Sequence, residues 1–388
     1  MPMSPSPQMS AALEKARAAR GTTSPNPPVG AVVVIDCEVI ARGHTQPLGG
    51  AHAEVMALRA AGDRARGADV YCTLEPCAHQ GRTPPCTSAL IEAGVRSVTY
   101  ALRDPFPEVD GRGHTQLESA GIEVQSGDGE NEATSILAGY LKHQRTGLPL
   151  VVVKYAASLD GRIAAASGDS RWVSGPETLR WAHDERPGLD AMVVGSNTVI
   201  VDNPELTARP GDPAGPVDPE VHQPLRIVVD TRGRTPENAR VLQGDSPTLI
   251  ATTAASPEAW RSSIAAAGAE LLVLPSRSGR GGTEHVDLTA LVEECGRRGM
   301  LTVLFEGGGI LLGSLFDQRL VDRVHAVIAP LIVGAADAPT PVAGQGADRM
   351  RDAVRLRQVS VSRMGDDMLI TGEPDWAALV TDRDTPGG

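Results

Sequence analysis

Four side chains in the first quarter of the sequence have the types and spacing of a metal centre that activates water. His52 and Glu54 are separated by one residue, and Cys77 and Cys86 follow them across a predicted strand and loop. One imidazole and two thiolates can hold zinc in a tetrahedron with one open position, where a bound water becomes acidic enough to react near neutral pH. We expect His52, Cys77 and Cys86 to be the metal ligands.

Glu54 has the position of a proton carrier rather than of a ligand. On a helix, a residue two positions after His52 points in a different direction but lies in the same turn. Water attack on an amino-bearing ring carbon requires protonation of the ring nitrogen and then of the leaving nitrogen, and one carboxylate can serve both steps. His-x-Glu followed by Pro-Cys is typical of zinc deaminases, so the sequence predicts deamination of a pyrimidine-like ring.

The spacing of the two cysteines departs from the common pattern, in which two residues separate them. Here residues 78–85 intervene, and this segment returns Cys86 to a predicted helix start, where backbone N–H groups favour a thiolate. A lone His-x-Glu pair is common on helices, and buried cysteines are often inert packing residues. A structural zinc site is the main alternative to a catalytic one.

The elements around these residues alternate between strands and helices. We predict strands at residues 29–36, 39–42, 69–74, 96–102 and 122–125, and helices at 9–20, 52–61, 87–93 and up to about 145. This order is typical of a layered α/β domain. Residues 1–10 are rich in Pro, Ser and Met without a period, and we predict a frayed segment there.

A break at Thr146-Gly147-Leu148-Pro149 predicts a domain boundary, with one domain over residues 1–147 and a second over 148–388. Strands of the second domain are predicted near 150–156, 189–195, 225–230, 248–251, 270–274, 301–306 and 323–328. Residues 209–219 and 276–282 are predicted surface loops, and residues 381–388 a tail. The sequence therefore predicts two α/β domains without an internal repeat.

Composition narrows the class of protein. The length of 388 residues favours two domains, and 41% apolar with 22% charged residues is typical of an ordinary globular protein. Apolar runs are strand-sized, which argues against membrane spans. The net charge of −12 argues against nucleic acid as the main partner, so we expect the partner to be a small molecule.

The cysteines indicate the compartment. Five unevenly placed cysteines do not suggest a disulfide framework, so we expect a reduced, cytoplasmic protein.

Longer motifs resemble one enzyme family. The segment Glu75-Pro76-Cys77-Ala78-His79-Gln80-Gly81-Arg82-Thr83-Pro84-Pro85-Cys86 resembles the long cysteine loop of the bifunctional deaminase/reductase family of riboflavin biosynthesis. Residues 25–30 (Pro-Asn-Pro-Pro-Val-Gly) and Gly43-His44 resemble its other deaminase motifs, and residues 154–162 resemble the opening motif of its reductase domain. The resemblance spans nearly the whole chain. It implies a cytidine-deaminase-like three-layer domain followed by a dihydrofolate-reductase-like α/β domain.

The resemblance implies two successive reactions on a phosphoribosylated pyrimidine. The first is hydrolytic deamination of 2,5-diamino-6-(5-phosphoribosylamino)pyrimidin-4(3H)-one to 5-amino-6-(5-phosphoribosylamino)uracil at a zinc ion. The second is NADPH-dependent reduction of the ribosyl group to a ribityl chain. The family also makes a homo-oligomer plausible. No G-x-G-x-x-G motif is present, so the expectation of NADPH rests on the resemblance alone.

The resemblance also implies roles for individual residues. The residues that we expect to contact substrate are Asn26, His44, His79, Ser170, Arg186, Leu206, Arg209 and Glu306. The residues that we expect to contact NADPH are Ala156, Trp172, Thr198, Asp202, Gly308, Gly309, Ile310, Leu311, Leu312, Gly313 and Ser314. Hydride transfer needs a group that handles a proton, and Lys154 and Asp202 are the candidates, with water as the alternative.

Several of these residues have simpler alternatives. Asn26 between two prolines is a good turn residue, and His44 could end a hairpin. Arg186 and Arg209 offer forked donors suited to the substrate phosphate, but either could instead pair with a surface carboxylate. The glycines after Glu306 could bind phosphate at a helix start or simply form a tight turn.

Two rival functions remain at this point. A deaminase of nucleosides or of a transfer-RNA base would share the zinc site but would have no use for a reductase domain, and the acidic charge disfavours RNA. A zinc-stabilised binding protein without turnover would not need Glu54. Substitution of Glu54 therefore separates the enzymes from the binding protein.

Overall fold

The chain forms two compact units in the computed structural model, which describes residues 4–279 and 282–378. The first unit comprises Met1–Pro149 together with Gly299–Leu301. The second comprises Leu150–Arg298 and Thr302–Gly388. The tail predicted at residues 381–388 lies outside the described residues.

The first unit contains a five-stranded sheet with the order β2-β1-β3-β4-β5. Its strands are β1 (Gly30–Ile35), β2 (Glu38–His44), β3 (Asp69–Leu74), β4 (Ser97–Leu102) and β5 (Glu123–Ser126). Its helices are α1 (Pro7–Ala18), α2 (Ala53–Ala61), α3 (Cys86–Ala93), α4 (Arg112–Ser119) and α5 (Glu130–Thr146). The β1–β2 hairpin and the β1–β3 pair are antiparallel, whereas β3, β4 and β5 are parallel.

Close packing of α2 against the sheet depends on Gly43 in β2. A Cβ atom at this position would collide with the carbonyl oxygen of Ala53 and the nitrogen of Ala57, both in α2. Only glycine therefore allows the backbones of α2 and β2 to approach this closely. Because His52 immediately precedes α2, this contact also fixes the place of His52.

The predicted frayed segment at residues 1–10 is wrong for its described part. Helix α1 already begins at Pro7, and the Ser6 side chain accepts a hydrogen bond of 3.1 Å from the Met9 nitrogen. Ser6 is also held by Asp128, whose Oδ1 accepts from the Ser6 nitrogen at 2.9 Å. Serine before a proline at the first helical position is a favourable start, and the Met9 side chain is fully buried.

The second unit contains a nine-stranded sheet with the order β10-β9-β8-β7-β13-β6-β14-β16-β15. The strands are β6 (Leu150–Ser158), β7 (Ala191–Gly195), β8 (Leu225–Val229), β9 (Thr248–Thr252), β10 (Glu270–Val273), β13 (Thr302–Phe305), β14 (Arg323–Ala329), β15 (Leu356–Met364) and β16 (Asp367–Pro374). From β10 to β14 all neighbours are parallel, and β16 and β15 add an antiparallel edge. Parallel strands place their carboxyl ends, where ligands usually bind, along one edge of the sheet.

The helices of the second unit are α6 (Pro176–Glu185), α7 (Ser196–Asp202), α8 (Glu258–Ala266), α9 (Leu288–Arg297) and α10 (Gly309–Asp317). The loop predicted at 276–282 is partly wrong, since Ser276–Ser278 (β11) pairs with Glu284–Val286 (β12). The sequence analysis also missed β15 and β16. No helix within residues 4–279 and 282–378 is long and apolar enough to cross a membrane.

Candidate functional site

Three elements of the first unit bring the predicted metal ligands together. His52 is the residue before α2, and Cys86 is the first residue of α3. Cys77 follows the carboxyl end of β3 by three residues. The side chains therefore converge from two helix starts and one strand end, all of which are held by the sheet.

The distances among the three side chains suit a metal ion. His52 Nδ1 lies 3.3 Å from Cys86 Sγ and 3.5 Å from Cys77 Sγ, and all three ligand atoms lie within 4.8 Å of one another. Two ligand atoms of a tetrahedral zinc site with ordinary bond lengths are roughly 3.5 Å apart. The donor set and its spacing therefore fit zinc.

The two thiols differ in their protonation. Hydrogen bonding from Cys86, together with hydrogen bonding to His52, lowers the pKa of Cys77 to about 4. The Cys86 backbone nitrogen donates to Cys77 Sγ at 3.3 Å. The hydrogen bond of Cys86 to Cys77, together with burial, raises the pKa of Cys86 well above its usual value. Cys77 is therefore the more readily ionised of the two thiols, and both must lose their protons to bind a metal ion.

Glu54 is buried beside the ligands, with only 4% of its surface exposed. Burial, reinforced by the negative charge of Cys77, raises the pKa of Glu54 to about 7. A carboxyl group with a pKa near neutrality can both accept and release a proton, which is the property required of a proton carrier.

The structure also shows contacts around the ligands that sequence analysis missed. Thr83 Oγ1 lies 3.3 Å from His52 Nε2, so the ring nitrogen that faces away from the thiols has a hydrogen-bond partner. Phe106 and Val109 pack with Cys77 and Cys86 in one apolar cluster. The only sequence signal for Thr83 was its place inside the long cysteine loop, and Phe106 and Val109 carried none.

The three predicted substrate contacts of this unit lie in different settings. Asn26 forms a turn, since its nitrogen donates to the Thr23 carbonyl at 2.9 Å. His44 is the last residue of β2, and burial lowers its pKa. The ring of His79 packs edge-on against Phe106 with centroids 5.3 Å apart, and its buried Nδ1 has no hydrogen-bond partner among the described residues. His79 therefore has one buried ring nitrogen that no described group satisfies.

The second unit has a cavity of about 960 Å³ at the carboxyl ends of its parallel strands. Predicted residues line it from three neighbouring strands or the segments that follow them. They are Lys154, Ala156, Ser170, Thr198, Asp202, Glu306, Gly308, Gly309, Ile310, Leu311, Leu312 and Ser314. The volume lies in the usual range for a small-molecule site.

A charged cluster surrounds Glu306, which immediately follows β13. Lys154 Nζ lies 3.7 Å from Glu306 Oε1, and Arg186 Nη2 lies 3.4 Å from Glu306 Oε2. Arg186 also donates to the carbonyl of Thr207 at 2.7 Å. Arg186 therefore pairs with a carboxylate, as its simpler alternative anticipated, but that carboxylate belongs to the cavity rather than to the open surface.

Burial and the nearby charges favour an ionised Glu306 and a neutral His183. Burial alone would raise the pKa of Glu306, but the nearby charges of Lys154 and Arg186 outweigh it, and the net result is a lowered pKa. Burial and the charge of Arg186 lower the pKa of His183 to about 4. At neutral pH Glu306 is therefore a carboxylate that lies between Lys154 and Arg186.

We expect Glu306→Gln to lower the free energy of unfolding of the second unit by about 1 to 3 kcal/mol at pH 7, because it leaves Lys154 and Arg186 without a counter-charge. A lowered folded-state pKa stabilises the protein above the unfolded value of 4.5, and this contribution is lost as the pH falls below it. The difference in free energy of unfolding between wild type and Glu306→Gln should therefore shrink as the pH falls below about 4.5. Urea unfolding followed by tryptophan fluorescence measures this, since all four tryptophans lie in the second unit.

Glu270→Gln is the matched control for this experiment. Glu270 pairs with Arg298 in the same unit, but about half of its side chain is exposed (52%). Such a surface pair contributes roughly 0 to 1 kcal/mol. Equal unfolding curves for wild type and Glu306→Gln at every pH would contradict the argument.

Asp202 ends α7 and is held by residues of the loop before α6. Ser170 Oγ donates to Asp202 Oδ1 at 2.9 Å, and Arg171 Nη2 donates to the Asp202 carbonyl at 2.8 Å. Lys154 and Asp202 both line the cavity, so each candidate for proton transfer faces the same space.

The glycine turn after Glu306 has the backbone form of a phosphate cradle. Gly307 and Gly308 have φ of 112° and 54°, a region that favours glycine, and side-chain atoms at either would face Thr198 Oγ1. A Cβ atom at Gly309 would collide with the Thr340 carbonyl oxygen. Bare N–H groups at the start of α10 therefore face the cavity, which fits the phosphates of a dinucleotide.

Other predicted residues of this unit lie away from the cavity lining. Trp172 is 71% exposed, and Gly313 packs against Gly344. Arg209 pairs with Glu205, in agreement with the simpler alternative of a carboxylate partner. Leu206 is buried with a φ of 57°. Of these residues Arg186 meets the cavity through Glu306, whereas Leu206 packs in the apolar core of the unit and Arg209 pairs with Glu205.

Comparison with known proteins accounts for both units. Residues 149–370 match the family model of the RibD C-terminal domain, and residues 4–102 match the zinc-binding region of cytidine and deoxycytidylate deaminases. The riboflavin biosynthesis protein RibD of Escherichia coli is 38% identical over 93% of this chain and 97% of its own. The chain belongs to the RibD family. The RibD of Mycobacterium tuberculosis is 40% identical over 94% of this chain and 95% of its own.

Solved structures of RibD proteins have the same fold. Acinetobacter baumannii RibD superposes with a TM-score of 0.80 at 34% identity, covering 95% of this chain and 98% of its own. A Thermotoga maritima protein named as a diaminohydroxyphosphoribosylaminopyrimidine deaminase/5-amino-6-(5-phosphoribosylamino)uracil reductase gives 0.77 at 31% identity, covering 95% and 97%. The predicted resemblance and fold class are confirmed. The matched zinc-binding region, residues 4–102, spans His52, Cys77 and Cys86, the group that could hold a metal ion.

Proposed function

We propose that this chain catalyses two successive steps of riboflavin biosynthesis. Residues 1–147 deaminate 2,5-diamino-6-(5-phosphoribosylamino)pyrimidin-4(3H)-one with uptake of water and release of ammonia. Residues 148–388 then reduce the ribosyl group of 5-amino-6-(5-phosphoribosylamino)uracil with NADPH. The observation that carries the proposal is the convergence of His52, Cys77 and Cys86 beside the buried Glu54 in a chain matched along its length by RibD proteins.

The chain's own residues supply ligands, proton transfer and recognition in the deaminase half. Zinc held by the three ligands supplies a Lewis acid that makes a water reactive. Glu54 would pass the first proton of that water to the ring nitrogen, and would then carry the proton left on the added oxygen to the leaving amino group, which departs as ammonia. The free Nδ1 of His79 supports a role in binding the pyrimidine edge, and we assign Asn26 and His44 to the same surface.

The reductase half uses its cavity to orient two molecules. NADPH supplies the hydride, and the glycine turn with Thr198 binds its phosphates. Glu306 and Ser170 hydrogen-bond the substrate, while Lys154 or Asp202 supplies the proton that accompanies the hydride. Arg186, which contacts Glu306, and Arg209 carry guanidinium groups that suit the substrate phosphate, and we assign them to it. Trp172 is exposed beside the Ser170 loop, a position from which it can contact cofactor.

The two activities are tested with the purified full chain loaded with zinc. Diaminopyrimidinone phosphoriboside without NADPH should give one ammonia per substrate and no further change. Addition of NADPH should then cause loss of absorbance at the reduced nicotinamide band, in proportion to the deaminated product. Absence of ammonia release would overturn the deaminase assignment, and absence of NADPH oxidation with authentic deaminated product would overturn the reductase assignment.

We propose that the protein is a homo-oligomer. Strand β15 is an open edge of the large sheet, and Val359 and Val361 on it are 52% and 62% exposed. A second copy could cover this edge, since unpaired strand edges readily pair with another chain. Light scattering of the purified protein measures its mass, and a monomer at every concentration would contradict the proposal.

We propose a cytoplasmic location on the basis of cysteine chemistry. All five cysteines are free thiols, and two of them are needed as metal ligands. Such thiols persist in a reducing compartment. Fractionation of cells followed by detection of the protein would test the location, and recovery outside the cytoplasm would contradict it.

A further inference from the structure

A short segment of the second unit, residues 205–209, has a backbone conformation that its own sequence does not favour. Leu206 has a φ of 57°, in the left-handed region that leucine rarely adopts. Such a conformation persists only where surrounding groups hold it, and it occurs most often at sites that bind ligands. The Leu206 side chain is buried in the apolar core of the unit. Groups outside the segment must therefore hold the backbone on either side of it.

Two arginines bind the carbonyl groups that flank Leu206. Arg226 Nη1 lies 3.4 Å from the Glu205 carbonyl oxygen, and Arg186 Nη1 donates to the Thr207 carbonyl at 2.7 Å. Arg226 belongs to β8, and Arg186 directly follows α6. Distant parts of the unit therefore fix the peptide groups before and after Leu206.

Gln223, two residues before β8, forms the most specific contact with this segment. Its Oε1 accepts from the Ala208 nitrogen at 2.8 Å, and its Nε2 donates to the Ala208 carbonyl at 3.0 Å. One amide thus pairs with both backbone groups of one residue. Ala208 is fully buried, and its methyl side chain has no hydrogen-bonding atom. Because buried backbone groups need partners, loss of this amide would leave two of them unpaired and would favour a shift of the segment.

Arg209 is the residue that such a shift would move, since it directly follows Ala208. It pairs with Glu205 of the same segment, and Glu205 also pairs with Arg240. Burial, together with the charges of Arg240 and Arg186, lowers the pKa of Arg209. Three guanidinium groups therefore lie near one another, an arrangement that suits a phosphate.

On the basis of the proposed reductase function, we propose that Gln223 is a positioning residue for the substrate phosphate. Its amide is occupied by Ala208 and, at 3.4 Å, by the Val221 carbonyl, so it acts on the substrate only through Arg209. It holds the backbone so that Arg209 is in place before the phosphate arrives. A segment that is ordered in advance loses less entropy on binding. Gln223 therefore increases affinity for the phosphorylated substrate without taking part in hydride transfer.

The test compares 5-amino-6-(5-phosphoribosylamino)uracil with the same compound lacking its phosphate, by NADPH oxidation with the full-length protein. Gln223→Met keeps the length of the side chain and removes both hydrogen bonds to Ala208. It should raise KM for the phosphorylated substrate about 10-fold and change kcat by less than about threefold. For the substrate without phosphate, kcat/KM should stay within about twofold of wild type, because that substrate gains nothing from Arg209.

Gln243→Met is the matched control for this experiment. Gln243 is an exposed residue of the same unit, and its side chain donates to the Asn238 carbonyl at 3.2 Å. It should leave both substrates unaffected. NADP⁺ affinity, measured by titration calorimetry, should be unchanged in both variants and checks that the second unit is folded. If Gln223→Met does not bind NADP⁺, Gln223→Glu replaces it, since its carboxylate accepts from the Ala208 nitrogen but cannot donate to the carbonyl.

A double variant measures whether Gln223 acts through Arg209. Arg209→Gln alone should raise KM for the phosphorylated substrate. Because the proposed effect of Gln223 passes through the Arg209 guanidinium group, Gln223→Met/Arg209→Gln should raise KM no further than Arg209→Gln.

Four results would overturn the inference. An equal loss with both substrates would show that Gln223 only supports the fold. Unchanged KM in Gln223→Met would show that the segment does not depend on its amide. Multiplied losses in the double variant would separate Gln223 from Arg209. Equal kcat/KM of wild type with and without the phosphate would remove the phosphate from the site. Failure of wild type to oxidise NADPH with authentic deaminated product is a separate result, which would overturn the reductase function itself.

Discussion

Replacement of Glu54 by glutamine is expected to reduce ammonia release by about 10²- to 10⁴-fold while zinc stays bound. The amide preserves the shape of the side chain in a site where only 4% of its surface is exposed. It can neither accept a proton from water nor deliver one to the leaving nitrogen. Ammonia assay of the deaminase step, with zinc content of the same sample, measures both parts of this expectation.

Glu92→Gln is the matched control, since Glu92 is an exposed residue of α3 in the same unit. It should leave ammonia release unchanged. The rate of NADPH oxidation with deaminated product serves as an internal reference, because Glu54 lies in the other unit. Ammonia release by Glu54→Gln within about threefold of wild type would remove Glu54 from the mechanism and would favour a zinc site whose purpose is structural.

Removal of a metal ligand should affect both zinc binding and ammonia release by the first unit. Cys86→Ala is expected to weaken zinc binding by about 100- to 1,000-fold and to abolish ammonia release, because one of three protein ligands is lost. The thiol is fully buried at the start of α3, so no other side chain of the helix can replace it. Zinc retained after dialysis against a competing chelator measures the loss of affinity.

Cys37→Ala provides the matched control for the ligand substitution. Cys37 is an exposed free thiol in the same unit, and its loss should leave zinc content and both activities unchanged. Cys77→Ala should reproduce the effect of Cys86→Ala, and circular dichroism of each variant checks that the unit remains folded. Full zinc content in both ligand variants would contradict the assigned centre.

Sequence alone could predict the deaminase centre because its chemistry is local in the chain. His52, Glu54 and Cys77 lie in short motifs at element ends, and the β3 and α2 patterns are strongly apolar. What could not be predicted depends on contacts between distant segments. Phe106 and Val109 contact the thiols only because the loop after β4 folds back onto them. No sequence pattern in residues 103–111 predicts this contact.

In the second unit too, the apolar strands could be predicted from the sequence, whereas the features that depend on distant contacts could not. Its seven parallel strands are apolar runs that the sequence reveals, whereas β15 is exposed along its length and has no buried face to create a pattern. Glu306 pairs with Lys154 and Arg186, which are more than 100 residues away in the chain. No sequence pattern predicts that these side chains are close in space.

The contact between Gly43 and α2 has a consequence for how this protein can tolerate change. Because the backbones of β2 and α2 meet directly, the location of His52 does not depend on the size of any intervening side chain. A larger residue at position 43 would force α2 away from β2 and would move His52 with it. A substitution in the hairpin could thus disable the metal centre without altering any of its ligands.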